Sequence, residues 1–207
     1  MINPEELTPP TPLDYGRKFD ALKEQFAQQA RETSYPGATD GPADAYRHML
    51  AAAEFTRLYG QLPTRVVGNY NEGSIIPDRA KLDEASKMDL HNNRIGEEIG
   101  RQAKNSKEAE RLVHAHIRAA AIEGGTGANG TAIYLGKEKW GGDEKRTAEL
   151  VWPLRGLATS SEVELALASP PESWSDAVRE RVMRDRIYWD TNHPRQAEAF
   201  EAVRRSF

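Results

Sequence analysis

The sequence predicts a mainly α, single-domain helical bundle with a glycine-rich loop and room for a small β-hairpin near residues 131–152. Three observations carry this expectation. Apolar residues recur at three- and four-residue spacing through most of the chain, the period of a half-buried helix. Clusters of proline and glycine fall between those runs, where they punctuate. The 207 residues include no cysteine, and a chain this long buries a sufficient core without disulfides.

Residues 1–15 hold Pro4, Pro9, Pro10 and Pro12 among polar residues and read as an extended arm; residues 16–207 read as one helical domain. The first helix is expected over 16–32, with Phe19, Leu22, Phe26 and Ala30 on one face. The second opens at Asp40-Gly41-Pro42 and stops at Gly60, because proline suits a first turn and glycine a helix end. Its stripe is Ala45, His48/Met49, Ala52, Phe55 and Tyr59. Residues 60–78, with Gly60, Pro63, Gly68, Gly73 and Pro77, read as a loop with room for a short element at Val66-Val67. A third helix is expected over 79–103 and a fourth over 105–123, broken by Gly124-Gly125-Thr126-Gly127-Ala128-Asn129-Gly130. Thr131 to Leu135 reads as a short strand. Thr159-Ser160-Ser161-Glu162 spells a capping box for a helix over 160–168. Further helices are expected from Trp174 to Tyr188 and from Pro194 onward. Of the four tryptophans, Trp140, beside Gly141-Gly142, is the one expected at the surface.

Composition narrows function. The formal charge is -4, and acids interleave with bases, as in Arg179-Glu180-Arg181. That pattern makes solvated helix faces rather than a phosphate-neutralising stripe, so nucleic acid is disfavoured as a partner. No apolar run is long enough to span a bilayer. The first residues show no basic n-region or apolar h-region, so no Sec signal is expected. Synthesis in the cytoplasm and export by a dedicated secretion system is the expectation.

The informative feature is polar groups inside apolar stripes. On the third helix Asp89 falls on the face that should be buried, with Asn92 and Asn93 three and four positions on. Gly96 and Gly100 continue that side; glycine in a helix costs about 1 kcal/mol against alanine, and close helix–helix approach is the usual compensation. On the second helix Asp44 and His48 stack four apart, bordered by Arg47. An Asp89–His48 pair would be raw material for general acid–base catalysis. The same residues could instead form a closed network that only specifies packing. His116, in the stripe of the fourth helix, reads as a core histidine. For a divalent metal the candidate ligands are His48, Asp89 and His91; Asp89 and His91, two apart, diverge on an unbroken helix. No G-x-S-x-G elbow, P-loop or H-E-x-x-H is present. Glu54 and Glu72 as a glycosidase-type carboxylate pair read better as solvated residues.

Gly41-Pro42-Ala43-Asp44-Ala45-Tyr46-Arg47-His48, followed some forty residues on by Met88-Asp89-Leu90-His91-Asn92-Asn93-Arg94-Ile95-Gly96, resembles an uncharacterised bacterial helical domain family associated with toxins, secreted effectors and phage proteins. The likeness covers about residues 40–100, within a motif core of 40–123. It implies that Asp44, Arg47, His48, Asp89, Asn92, Asn93 and Gly96 belong to one site, with Glu72 at a loop-glutamate position. In relatives a histidine precedes that glutamate; here Asn71 does.

The leading expectation is a bacterial hydrolase acting on the cell envelope, peptidoglycan or lipid, delivered as an effector or lysis-type protein and matched by a cognate immunity protein. His48, Asp89, Arg47 and Asp44 would be catalytic; Asn92, Asn93 and Glu72 would bind substrate. The rivals are a nuclease toxin using the cluster with a divalent ion, and a non-enzymatic component of a phage or secretion system.

Overall fold

The computed structural model describes residues 11–33, 35–71, 82–141 and 157–207. It is mainly helical, as expected. Five helices form the larger part: α1 (Pro12–Glu32), α2 (Pro42–Tyr59), α3 (Gln61–Asn71), α4 (Glu84–Gln102) and α5 (Ser106–Glu123). Among the described residues four shorter ones follow: α6 (Ser161–Ala168), α7 (Asp176–Arg184), α8 (Arg186–Trp189) and α9 (Gln196–Arg205).

α2 is the central rod. It packs on α1, α3, α4 and α5, and it is buried almost without interruption from Pro42 to Thr56. Its small residues make this possible: Ala45, Ala51, Ala52 and Ala53 let neighbouring helices approach on several sides. Tyr46, Met49 and Leu50 fill the space toward Phe26, Met88 and Ile117.

The tightest contact is α2 against α4. A Cβ at Gly96 would lie 2.3 Å from the Met49 carbonyl oxygen and 2.7 Å from the Ala52 Cβ. One helical turn on, a Cβ at Gly100 would lie 2.3 Å from the Ala53 carbonyl oxygen. The two glycines are therefore the reason the helices can touch backbone to backbone, as their place in the stripe implied.

Several expectations are corrected. α1 begins at Pro12, inside the supposed arm, because Thr11 and Asp14 form a reciprocal capping box around a proline at the first helical position. The segment after Gly60, read as a loop, is helix α3 as far as Asn71. Pro63 sits in its first turn, where proline costs no hydrogen bond; Thr64 hydroxyl bonds Gly60 O, and Val67 joins Phe19 and Phe55 in an apolar cluster. α4 starts at Glu84, capped by Asp83, later than expected. The single helix expected from Trp174 to Tyr188 is two, because the Asp185 carboxylate accepts the main-chain N–H groups of Thr159 and Ile187, both at 2.9 Å. Trp140 is half-buried, edge-on to Tyr134, its indole N–H donating to Leu135 O at 2.7 Å; among the described tryptophans Trp189 is the exposed one, at 62 %.

The glycine-rich segment folds over the α2–α4 pair. Gly124, Gly125, Gly127 and Gly130 all have positive φ. Isolated bridges join Thr126 to Ile133 and Thr39 to Gly141; among the described residues 131–135 form no strand. Residues 142–152 of the expected hairpin lie outside the described residues. Leu135 N–H reaches Asp40 O at 2.8 Å, tying the segment to the start of α2.

The C-terminal helices close around an apolar cluster of their own, including Val163, Trp174, Val182 and Ile187. They hold to α5 through Glu164, fully buried on α6. Its carboxylate accepts Arg118 Nε at 3.0 Å, Arg195 Nη1 at 2.8 Å and Ala158 N at 2.9 Å.

Gly96→Val should lower unfolding free energy by about 3 kcal/mol or more, because overpacking here strikes main chain that cannot yield. Gly16→Ala on α1, where a Cβ would meet nothing within 4 Å, should leave stability unchanged or raise it by up to about 1 kcal/mol. Urea denaturation of both variants checks the contrast.

Candidate functional site

The close crossing sets the site. α2 presents Asp44, Arg47 and His48, and α4 presents Asp89 and Asn93, one turn apart on the stripe that continues to Gly96 and Gly100. His48 is 1 % exposed and sits between the two helices. Its Nε2 lies 3.3 Å from Asp89 Oδ1 and 3.6 Å from Asp44 Oδ1. Its Nδ1 lies 3.3 Å from Asn93 Oδ1.

Arg47 decides the tautomer. Its Nη2 lies 3.1 Å from His48 Nε2 and 2.5 Å from Asp44 Oδ1. A guanidinium only donates, so Nε2 accepts and carries a lone pair. The proton is then on Nδ1, which donates to Asn93 Oδ1. Asn93, not Asp89, is the group that orients the imidazole. This corrects the expected Asp–His pair: both carboxylates face the lone pair of Nε2, not a proton.

Electrostatics agree with a neutral imidazole. Burial, then the positive charges of Lys23 and Arg47, hold the His48 pKa well below the usual histidine value. Burial pushes the Asp44 carboxyl upward, opposed chiefly by Arg47. Asp44 Oδ2 also accepts the Asp40 N–H at 2.8 Å, so this side chain braces the entry to α2. Solvent reaches the centre on one side, where the side chains of Asp89 and Arg47 are 16 % and 28 % exposed.

Three ligand-type atoms converge there. One atom each from Asp44, His48 and Asp89 lie within 4.8 Å of one another, and among the described residues these are the ones that could hold a metal ion. His91 is not among them: its Nε2 donates to Thr131 O at 2.8 Å, on the opposite side of the unbroken α4. Asn92 faces that side too, both ends of its amide bonded to the main chain of Ile133 at 2.8 and 3.0 Å. It anchors the glycine-rich segment and is not free to position a substrate. Glu72 lies outside the described residues. Glu54 is buried, not solvated, and accepts Arg57 at 2.7 Å and Ser106 at 3.1 Å away from the centre.

Two polar groupings were missed from sequence. Asn93 as the tautomer-setting group is one; its Nδ2 is buried with no hydrogen-bond partner among the described residues and lies against Gly68 of α3. The other is a cleft of about 460 Å³ between α1 and α5, lined by Tyr35, Glu110, His114 and Arg118 among others. There Tyr35 hydroxyl meets His114 Nδ1 at 2.6 Å and Tyr46 hydroxyl donates to Glu110 at 3.2 Å. The spacing of Glu110, His114 and Arg118, four apart on one helix, was the available signal.

His116 stands apart as a core histidine. Burial lowers its pKa from 6.5 to about 4, opposed by a hydrogen bond with the Gly130 main chain. A histidine that stays neutral in the fold stabilises it fully above about pH 6.5 and loses that contribution as pH falls toward 4. Melting temperature should drop between pH 7 and 4.5, and drop less in His116→Gln.

Comparison with curated proteins and with solved structures returned no match. A family model described as a domain of unknown function (DUF6973) matches residues 6–124. That span, more than half of the chain, contains α1 to α5 and every residue of the centre; the chain belongs to this family.

Proposed function

We propose that this chain is a hydrolase that activates water at the Asp44–Arg47–His48–Asp89–Asn93 centre and attacks the bacterial envelope, peptidoglycan or lipid, as a secreted effector or lysis-type protein. The observation that carries the reading is the Arg47 contact, which fixes His48 Nε2 as a lone pair beside the solvent-facing side of the centre. A neutral imidazole takes a proton from water without first losing one, once the Arg47 N–H turns from Nε2 toward the developing oxyanion. Arg47, held by Asp44, supplies fixed positive charge where an oxyanion would develop. Asn93 is a positioning residue, since it holds the ring. Asp89, the more exposed carboxylate, receives or returns protons at the mouth.

The envelope as target rests on the motif likeness to effector-associated domains and on the interleaved surface charge. An enzyme of this kind would need an inhibitor protein in the cell that makes it. A second reading, a metal-dependent nuclease, is favoured by the convergence of Asp44, His48 and Asp89; EDTA-sensitive cleavage of DNA or RNA would establish it in place of the first.

Purified protein should release fragments from peptidoglycan sacculi or fatty acid from phospholipid vesicles. His48→Gln should cut that rate by roughly 10²–10⁴-fold, the usual worth of a general base, with the helical circular dichroism unchanged. A purely structural cluster would show the reverse: lost stability in His48→Gln and no turnover in either protein.

A further inference from the structure

The geometry points to a divalent transition-metal ion held by Asp44, His48 and Asp89, with Arg47 as the charge that stands in for it when no ion is bound. The inference deepens the hydrolase reading and rests on it for the purpose of the ion; with an ion bound, His48 would be a ligand instead of the base, and Arg47 would move aside instead of supplying the fixed charge.

The distances fit. Ligand atoms on a tetrahedral zinc with bonds of about 2.0–2.1 Å are roughly 3.3 Å apart. His48 Nε2 is 3.3 Å from Asp89 Oδ1 and 3.6 Å from Asp44 Oδ1. The remaining edge, between the two carboxylates, is no longer than 4.8 Å and closes with a small side-chain rotation. The donors come from two helices whose backbones are in contact, so the frame cannot spread. One imidazole and two carboxylates suit a zinc or manganese dication, and three protein ligands leave the open position typical of a catalytic site.

The tautomer is compatible with an ion, since it leaves the Nε2 lone pair aimed at the locus. A nitrogen lone pair aimed at two carboxylate oxygens is repulsive unless a positive charge sits among them. In this structure that charge is the Arg47 Nη2, in contact with both Asp44 Oδ1 and His48 Nε2. An entering dication would take the place of this guanidinium at both atoms. Asn93 holds the second ring nitrogen as an outer partner of a metal-bound histidine does, orienting the lone pair at the ion. Arg47 is partly exposed and can swing outward as the ion enters. The chemistry an ion supplies there is a lowered pKa for a water on its open position.

The test is calorimetric titration of Zn²⁺ into chelator-treated full-length protein, with the visible spectrum of the Co²⁺ form as a second readout. One ion per chain should bind, with a rise in melting temperature and a low-symmetry Co²⁺ spectrum. Asp89→Asn and Asp44→Asn, near-isosteric, should each weaken binding more than about 100-fold, beyond what loss of an outer partner costs; Arg47→Gln should bind as tightly or tighter. Failure to take up one equivalent, or equal uptake by Asp89→Asn and Asp44→Asn, would overturn the assignment. The two proposals separate cleanly. Turnover that needs His48 in protein that takes up no ion leaves the hydrolase and removes the metal. One bound ion without hydrolysis of any envelope substrate does the opposite.

Discussion

Backbone contact between α2 and α4 at Gly96 and Gly100 is the constraint from which the rest follows. A side chain at either position would collide with a carbonyl oxygen of α2 at 2.3 Å. With both absent, the helices close to a distance at which short polar side chains bridge them directly. Asp89 and Asn93 lie on the same stripe as the two glycines, two turns and one turn before Gly96 respectively. His48 lies one residue before Met49, whose carbonyl receives Gly96. The same approach that brings the backbones together thus delivers the imidazole to the aspartate and the amide.

The centre is unusual in the way its hydrogen bonds are assigned. A carboxylate behind a histidine commonly holds the ring by its N–H. Here an amide does that, and the carboxylates stand in front, with an arginine bridging Asp44 and the ring. Burial holds the ring neutral, while a fixed cation sits at its lone pair. Such a centre holds a neutral ring nitrogen whose lone pair is in contact with a fixed cation.

Much of this was legible in the residues. Asp44, His48, Asp89 and Asn93 stood out because polar groups occupied apolar stripes, and the glycine pair announced a close crossing. Helices α2 and α5 were placed to within a residue or two because capping residues and breakers bound them, and α4 was placed with its start five residues early. What was not legible depended on contacts rather than pattern. α3 was hidden because Pro63 and Gly68 read as breakers, yet one lies in a first turn and the other lies against Asn93. Asn92 looked equivalent to Asn93; only the position of the Ile133 main chain separates an anchor from a site residue. The role of Asn93 depended on where the Arg47 guanidinium sits, and spacing does not fix a long side chain.

The most direct measurement is a nuclear Overhauser experiment on isotope-labelled protein, between the Gly96 Hα protons and the Ala52 methyl. An alanine methyl that would lie 2.7 Å from a Cβ at Gly96 should give one of the strongest interhelical cross-peaks in the spectrum. A well-folded sample in which both signals are assigned and no cross-peak joins them would contradict the crossing, and with it the centre that the crossing assembles.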